Sequence, residues 1–286
     1  MNLSETRNLL ERRGLHLRRD LGQNYLIDGA RADQLVELAG VQPGDTVIEV
    51  GTGLGALTRA IAARAERVVT LEIDGGVVRA LREEQLLPGS VELQHVDALK
   101  IDLKGLVGSS PRERTCLVAN LPYSSATPLL REMLDHREVF RDWSVMVQRE
   151  VAARLVAEVG SKDYGSFAVL HSVAARVERL TDVAANAFFP VPNVVSTFVR
   201  VVPHRDESSP PDNQELLRIE RVVRAVFGQR RKTIANGLKA GGFGAEAAAA
   251  LERVGIDARV RAERVGPEGL RSLAQALYDL GSFGSG

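Results

Sequence analysis

"VIEVGTGLGALT", residues 47–58, joins a short apolar, β-branched run to a segment with helical spacing through three glycines, Gly51, Gly53 and Gly55. Glycine at a strand-to-helix junction lets the backbone turn sharply and lets a ligand approach where a Cβ would intrude. The spacing here is G-x-G-x-G. It is neither the G-x-G-x-x-G that lays a pyrophosphate on a helix N-terminus nor the G-x-x-x-x-G-K-[ST] of nucleoside-triphosphate sites. A glycine-rich turn alone also fits a purely structural role, so the flanking sequence has to decide.

Moving outward, strand-like runs alternate with helical ones. "DTVIEV" (45–50) is followed by "GALTRAIAARA", then "RVVTLEID" (67–74) by "GGVVRALREEQ". "VELQHVDAL" (91–99) and "TCLVANLPY" (115–123) precede the helical "TPLLREMLDHR". "WSVMVQ" (143–148), the helical "REVAARLVAEV" and "VVSTFVRVVP" (194–203) complete the series. Apolar runs alternating with helices predict an α/β fold, a mostly parallel sheet covered on both faces. "PHRDESSPPDNQE" (203–215) is rich in proline, serine and charge and reads as a linker. Beyond it the pattern is helical to about residue 281. Two domains are expected: 1–205, with a basic N-terminal segment 1–20, and an all-helical 206–286.

Composition narrows the function classes. The chain has 286 residues with 37 Lys+Arg and 37 Asp+Glu, so net charge says nothing about an anionic partner. Its one cysteine, Cys116, lies in an apolar run and reads as a small buried hydrophobe, which rules out a disulfide framework and suits a reducing, cytoplasmic setting. The N-terminus carries acids and arginines where a signal peptide needs an apolar core. No stretch approaches the ~20 apolar residues of a membrane span. The five histidines (His16, His95, His136, His171, His204) are scattered without cysteine partners, so no metal site is expected.

Two acids add to the glycine loop. Glu72 ends the second run, at the distance where a carboxylate accepts hydrogen bonds from both hydroxyls of a ribose. Asp97 ends the third and suits the exocyclic amine of an adenine, whereas Asp74 reads as a helix cap. Together they point to an adenosine without a pyrophosphate, and S-adenosyl-L-methionine is the candidate. Asn120 closes the fourth run on the same sheet edge, at the head of Asn120-Leu121-Pro122-Tyr123. The N6 lone pair of adenine is delocalised into its ring and is a poor nucleophile. The Asn120 side-chain oxygen and a backbone carbonyl such as that of Leu121 can grip both N–H bonds and aim the nitrogen. Pro122 fixes the turn, and Tyr123 offers a ring face worth ~1–3 kcal/mol of base stacking. Alone, the tetrapeptide also fits a turn with a packed tyrosine.

At these residues the sequence resembles the ribosomal RNA small-subunit adenine dimethyltransferase family, along nearly the whole chain. "LGQNYLID" (21–28) is similar to its N-terminal cofactor signature, with Tyr25 where phenylalanine is commoner. "IEVGTGLGALT", "LEID" and "NLPY" are similar to its methyltransferase and catalytic motifs. "QREVAARL", "GSKDYG", "FFPVPNVVS" and "FGQRRKTIANGL" follow in the family's order. The resemblance implies a Rossmann-like class I S-adenosylmethionine-dependent methyltransferase sheet. It implies cofactor contacts from Asn24, Leu26, Gly51, Gly53, Glu72, Asp97 and Asn120, and target-base contacts from Asn120, Leu121 and Tyr123. Phe188, at the F-x-P-x-P position, is implied on the opposite face of a flipped adenine, although Phe189 beside it competes, since only one of the two can face a pocket. The implied substrate is a pair of adjacent adenosines in a hairpin loop near the 3′ end of small-subunit rRNA, each dimethylated on N6, with a 30S precursor as partner and the enzyme a monomer. Ser124, Ala126 and Val195 depart from the family's usual Asn, Ser and Asp.

Charge is uneven along the chain. Arg218, Arg221, Arg224, Arg230, Arg231, Lys232 and Lys239 face one acid, Glu220, between residues 218 and 239. Five arginines between Arg7 and Arg19 face Glu11. Either segment alone fits a solvated helix face; flanking a base-modifying site, both suit phosphate contacts, with Arg230, Arg231 and Lys232 the expected RNA-binding residues. Three other readings stay open: a 23S rRNA adenine methyltransferase of the antibiotic-resistance type, a ribosome-assembly factor acting mainly by binding, and a small-molecule methyltransferase.

Overall fold

The computed structural model describes residues 3–18, 21–205, 210–229, 231–244 and 246–283. The chain divides into two compact units, Met1–Ala152 with Glu178–Pro203, and Ala153–Val177 with His204–Gly286. The sequence pattern separated 1–205 from 206–286 and did not single out 153–177, which packs with the helical unit.

The first unit begins with α1 (Leu3–Arg12), β1 (Tyr25–Leu26) and α2 (Gly29–Leu38). Alternation follows: β2 (Thr46–Val50), α3 (Ala56–Ala62), β3 (Arg67–Glu72), α4 (Gly75–Glu83), β4 (Val91–His95), α5 (Leu103–Val107), β5 (Thr115–Asn120), α6 (Ala126–Asp135) and β6 (Asp142–Gln148). Then come α7 (Arg149–Leu155), α8 (Ser166–Ala174), which belongs to the second unit, and β7 (Ala175–Val183), β8 (Phe188–Phe189) and β9 (Ser196–Pro203). Seven strands form one sheet in the order β4-β3-β2-β5-β6-β9-β7. From β4 to β6 the neighbours run parallel, and β9 lies antiparallel to β6. Strand order reverses between β2 and β5, which opens a crevice at the carboxyl edge of the sheet. β2 is buried along its whole length, as expected of a central strand covered on both faces, while the edge strand β4 is only partly covered.

The expected strands 67–74, 91–99 and 115–123 end earlier, at Glu72, His95 and Asn120, because the chain leaves the sheet there to form rim loops. Elements that escaped the sequence pattern include α8, β7, β1 and β8. The sequence of α8, "SFAVLHSVA", is almost entirely buried and so has no polar stripe. β7 carries charged residues and lacks an apolar run, and the paired β1 and β8 are two residues each.

Val47, Val68, Cys116, Val118, Met146 and Phe198 from the sheet pack with Leu35, Val36, Leu57 and Ile61 of α2 and α3 in one apolar cluster. Cys116 is fully covered, and burial pushes its thiol up to about 12, so it is the inert hydrophobe expected. In the second unit α8 packs with α9 (Asn213–Phe227) and α12 (Pro267–Asp279), and α10 (Ile234–Ala240) and α11 (Glu246–Arg253) join that bundle. Its buried side chains include Leu216, Val223, Phe243, Leu270 and Leu277.

At the amino edge of the sheet two carboxylates are buried. Asp45 accepts from Arg141 Nη1 at 3.1 Å, and Asp142 accepts from Arg141 Nε at 2.9 Å and Arg200 Nη2 at 2.7 Å. Removing one member leaves the others charged and desolvated, so Asp142→Ala is expected to cost about 3–5 kcal/mol in urea unfolding. A loss under 1 kcal/mol, the value of an exposed pair, would contradict this account.

A third buried acid, Glu49 of β2, accepts through Oε2 from Thr58 and Thr70 hydroxyls, each at 2.6 Å. Its Oε1 is buried without a hydrogen-bond partner among the described residues. Burial raises this carboxyl from 4.5 to about 8, outweighing the two threonine bonds. The folded chain therefore holds a proton that the unfolded chain releases first. Stability from this group is complete below about pH 4.5 and declines as pH rises toward 8, then levels off. Measured between pH 5 and 8, wild type is expected to lose stability relative to Glu49→Gln; parallel profiles would refute it.

Candidate functional site

The carboxyl-edge crevice is a cleft of about 250 Å³ lined by the rim loops after β2, β3, β4 and β5 and by the segment 21–26. Asn24, Leu26, Gly51, Gly53, Glu72, Asp97, Asn120, Leu121 and Tyr123, separated by as much as a hundred residues in sequence, all line it. The parallel sheet brings the residues from Gly51 to Tyr123 together because each follows, or ends, a strand whose carboxyl end points the same way, whereas Asn24 and Leu26 come from the segment that leads into and forms β1.

Gly51 and Gly53 have φ of +84° and +53°, in the left-handed region that glycine adopts without strain. A Cβ on Gly53 would sit 3.0 Å from the Tyr25 ring, and one on Gly51 would sit 3.5 Å from the Asn120 carbonyl oxygen. The loop is thus pressed between the 21–26 segment and the Asn120 turn. Glu72 ties the loop to the start of α4: its Oε2 accepts from Gly53 N and its Oε1 from Asp74 N, each at 2.9 Å. Burial raises the Glu72 carboxyl, and these backbone bonds oppose that shift. Each carboxylate oxygen accepts more than one bond, so Glu72 retains acceptor capacity toward the cleft. Asp74 caps α4, as expected, by accepting from Gly76 N at 2.8 Å. Asp97 accepts from Leu99 N at 3.1 Å and lies 3.5 Å from Lys100 Nζ.

Asn120 ends β5, and its Nδ2 donates to the Asn24 carbonyl at 2.9 Å. A carbonyl only accepts, so this contact selects the amide nitrogen and leaves Oδ1 as the acceptor end of the side chain. Leu121 N donates to Met146 O at 3.2 Å, and Ser125 N to Pro122 O at 3.1 Å, which hold the turn on both sides. Tyr123 lies 2.6 Å through its hydroxyl from Ser196 Oγ, and burial raises its phenol.

The 21–26 segment is fastened at two points. Beyond the Asn24–Asn120 contact, Gln23 Nε2 donates to Asp74 Oδ2 at 2.9 Å while its Oε1 accepts from Arg18 N. A Cβ on Gly22 would lie 3.0 Å from Ser124 N, so this segment is pressed on the turn after Asn120 where the sequence departs from the family's usual Asn.

One expected site residue lies elsewhere. Phe188 is fully covered, pairs with Leu26 in the β1–β8 ladder and belongs to the apolar cluster of α2 and α3, and it does not line the cleft. Adjacent strand residues point to opposite faces, and the Leu26 register turns Phe188 inward. Phe189 points the other way, against Leu9 and Tyr25, with the Arg7 guanidinium 5.5 Å from its ring centroid. Neither ring supplies the second base-stacking face expected from the sequence.

The basic segments also divide. Arg12 and Arg13 pair with Glu83 and Glu84 of α4. Arg218 stacks on Tyr278, Arg221 lies over Phe243 and Phe283, and Arg224 pairs with Glu220, so these three are engaged within the helical unit. Arg231 and Lys232 are exposed, with no ion pair among the described residues, and Arg230 lies outside them.

The sequence reading missed Gln23, Ser196, Ile73 and Leu99. Ile73 and Leu99 line the cleft yet are 45 % and 40 % exposed, and each follows one of the singled-out acids within two residues. Large apolar side chains left open beside a ligand acid were the available signal for them. Gln23 and Ser196 act through partners distant in sequence and gave none.

Comparison with known proteins supplies what geometry leaves open. The chain matches the model for "Ribosomal RNA adenine dimethylase" over residues 14–277. It is 42 % identical over 282 residues to the ribosomal RNA small subunit methyltransferase A of Rhodospirillum rubrum, covering 98 % of this chain and 94 % of that protein. The crystal structure of a dimethyladenosine transferase from Plasmodium falciparum superposes with a TM-score of 0.74 at 23 % identity, covering 90 % of this chain and 98 % of that one. That of the 23S rRNA methyltransferase ErmE gives 0.64 at 24 %, covering 89 % and 99 %. The two crystal structures share the Rossmann-like methyltransferase fold with this chain. The near full-length relative and the family match reach further than fold, and on them the chain belongs to the ribosomal RNA adenine dimethylase family.

Proposed function

We propose that the chain uses S-adenosyl-L-methionine to dimethylate N6 of two adjacent adenosines in a hairpin loop near the 3′ end of small-subunit rRNA, during small-subunit biogenesis. The observation that carries this reading is the Asn120 amide, held by Asn24 O with Oδ1 as its acceptor end, on the same rim as the glycine loop and Glu72. The name of the Rhodospirillum rubrum relative favours the small subunit over the large.

The residues fit an adenosyl ligand. Gly51 and Gly53 leave open a cradle that side chains would crowd, and Glu72 keeps lone pairs for a ribose. Asp97 stands as acceptor for the adenine amine, with Ile73 and Leu99 as apolar walls. Asn24 and Leu26 close the other side, within one chain, in keeping with a monomer. When bound, the cofactor supplies a methyl group on a sulfonium sulfur, activated for transfer. Asn120 Oδ1 and the Leu121 carbonyl accept the two N6–H bonds and turn the nitrogen lone pair toward that methyl. Tyr123 stacks on the base. The N6 proton leaves to solvent after transfer, so no general base is needed beforehand and catalysis is mostly positioning. The basic segment 230–232 contacts phosphates and positions the RNA without specifying sequence. The setting is the cytoplasm and the partner a 30S precursor; no helix among the described residues is long and apolar enough to cross a membrane.

Incubated with labelled S-adenosyl-L-methionine and small subunits lacking the mark, the protein is expected to yield labelled N6,N6-dimethyladenosine in the small-subunit RNA. Label confined to large-subunit RNA would overturn the assignment. Asn120→Ala is expected to lower kcat by about 10²-fold or more with cofactor Kd little changed, since it removes an orienting acceptor. Glu72→Ala should instead raise cofactor Kd. Equal effects on both constants from the two variants would contradict the division of roles.

Replacing Arg230, Arg231 and Lys232 by glutamine should weaken RNA binding and flatten the plot of log affinity against log salt, each lost phosphate contact reducing the slope by about 0.7–0.9. An unchanged slope would make the segment an ordinary surface.

A further inference from the structure

Ser196 opens β9 and is fully covered. Its Oγ lies 2.6 Å from the Tyr123 hydroxyl, across seventy-three residues of chain. The strand between them, β6, ties down both partners. On one side Leu121 N donates to Met146 O, which holds the turn carrying Tyr123. On the other side Ser196 pairs with Gln148 in the antiparallel β6–β9 ladder, and Val195 O accepts from Arg149 N at 3.0 Å. Neither partner can drift without breaking ladder bonds. The tyrosine is therefore pinned at its backbone by the turn and at its far end by the serine.

A tyrosine side chain has two rotatable angles, and fixing its tip removes most of the freedom they allow. A buried hydroxyl that loses its partner pays a desolvation penalty, which keeps the contact closed. The Tyr123 phenol is raised by burial and stays protonated through neutral pH, so one hydrogen atom is always available to bridge the two oxygens. Ring plane matters for a stacked base, because tilting the ring also tilts the amine that Asn120 is to orient.

We infer that Ser196 is a positioning residue for methyl transfer: through its hydrogen bond to the Tyr123 hydroxyl it fixes the plane on which the target adenine stacks. This rests on the reading that Tyr123 is the stacking ring. It gives the serine of "FFPVPNVVS" a task, whereas Phe188 of the same stretch lies in the core.

The test compares Ser196→Ala, Tyr123→Phe, the double variant and Tyr123→Ala in the full-length protein, with unmethylated small subunits and labelled S-adenosyl-L-methionine. Ser196→Ala and Tyr123→Phe are each expected to lower kcat by about tenfold, the size of one neutral hydrogen bond, with cofactor KM unchanged. Because both remove the same bond, the double variant should be no slower than either single one. If the two effects multiply, the serine acts elsewhere and the inference falls. It falls too if both single variants keep the wild-type kcat while Tyr123→Ala loses it, and the stacking reading then stands. Wild-type kcat in Tyr123→Ala would overturn the stacking reading itself. Should Ser196→Ala fail to fold, Tyr123→Phe still removes the bond from the cleft side and decides the matter through kcat alone.

Discussion

Parallel strands point their carboxyl ends one way, and where strand order reverses at β2 and β5 the connections leave on diverging paths. Protein atoms cannot fill the gap between them. Every cleft residue after β2, β3, β4 and β5 sits where it does because of that constraint, and its side chain inherits its direction from the end of its strand. Glycine at 51 and 53 is the local counterpart, letting the loop pass close to Tyr25 and the Asn120 carbonyl. The segment 21–26 then covers the opening, held by Gln23 to Asp74 and by Asn24 to Asn120. These two bonds connect the N-terminal part of the chain to the α4 cap on one side and to the Asn120 amide on the other.

Charge is used differently at the two ends of the sheet. The amino edge holds Asp45, Arg141, Asp142 and Arg200 in a buried network of ion pairs. At the carboxyl edge Glu72 is nearly as buried, yet its partners are backbone N–H groups that donate without neutralising it. A carboxylate held this way keeps part of its acceptor capacity, which suits hydroxyl ligands. Glu49, next to the last residue of β2, has threonine hydroxyls as donors, and burial raises its carboxyl to about 8, so it retains its proton at neutral pH. These four buried acids thus fall into three settings, distinguished by what surrounds each one.

The glycine loop, Glu72, Asp97 and the Asn120 turn were legible in the sequence because each is a short local pattern at the end of a strand. Family resemblance carried Asn24 and Leu26, whose own residue types say little. Phe188 was misread for a physical reason: which of two adjacent aromatics faces a cavity depends on strand register, and register with Leu26 is a contact 162 positions away that no local pattern encodes. Ser196 was invisible for the same reason, its meaning residing wholly in a partner on another strand. The basic stretch 218–239 was visible as composition, but the aromatic partners of Arg218 and Arg221, Tyr278, Phe243 and Phe283, all lie beyond that stretch. The helix α8 and the short β1 and β8 were unreadable because burial on all sides and very small length erase periodicity.

Cys116 lies midway in this arrangement, in β5 between β2 and β6, and it is the sole cysteine of the chain. Fully covered and with its thiol held protonated, it is unreactive while the strand is in place. A thiol-specific dye therefore meets a target only during excursions in which the middle of the sheet parts. The native chain thus carries its own single-site clock for the opening of the strand that bears Asn120, read without any engineered label.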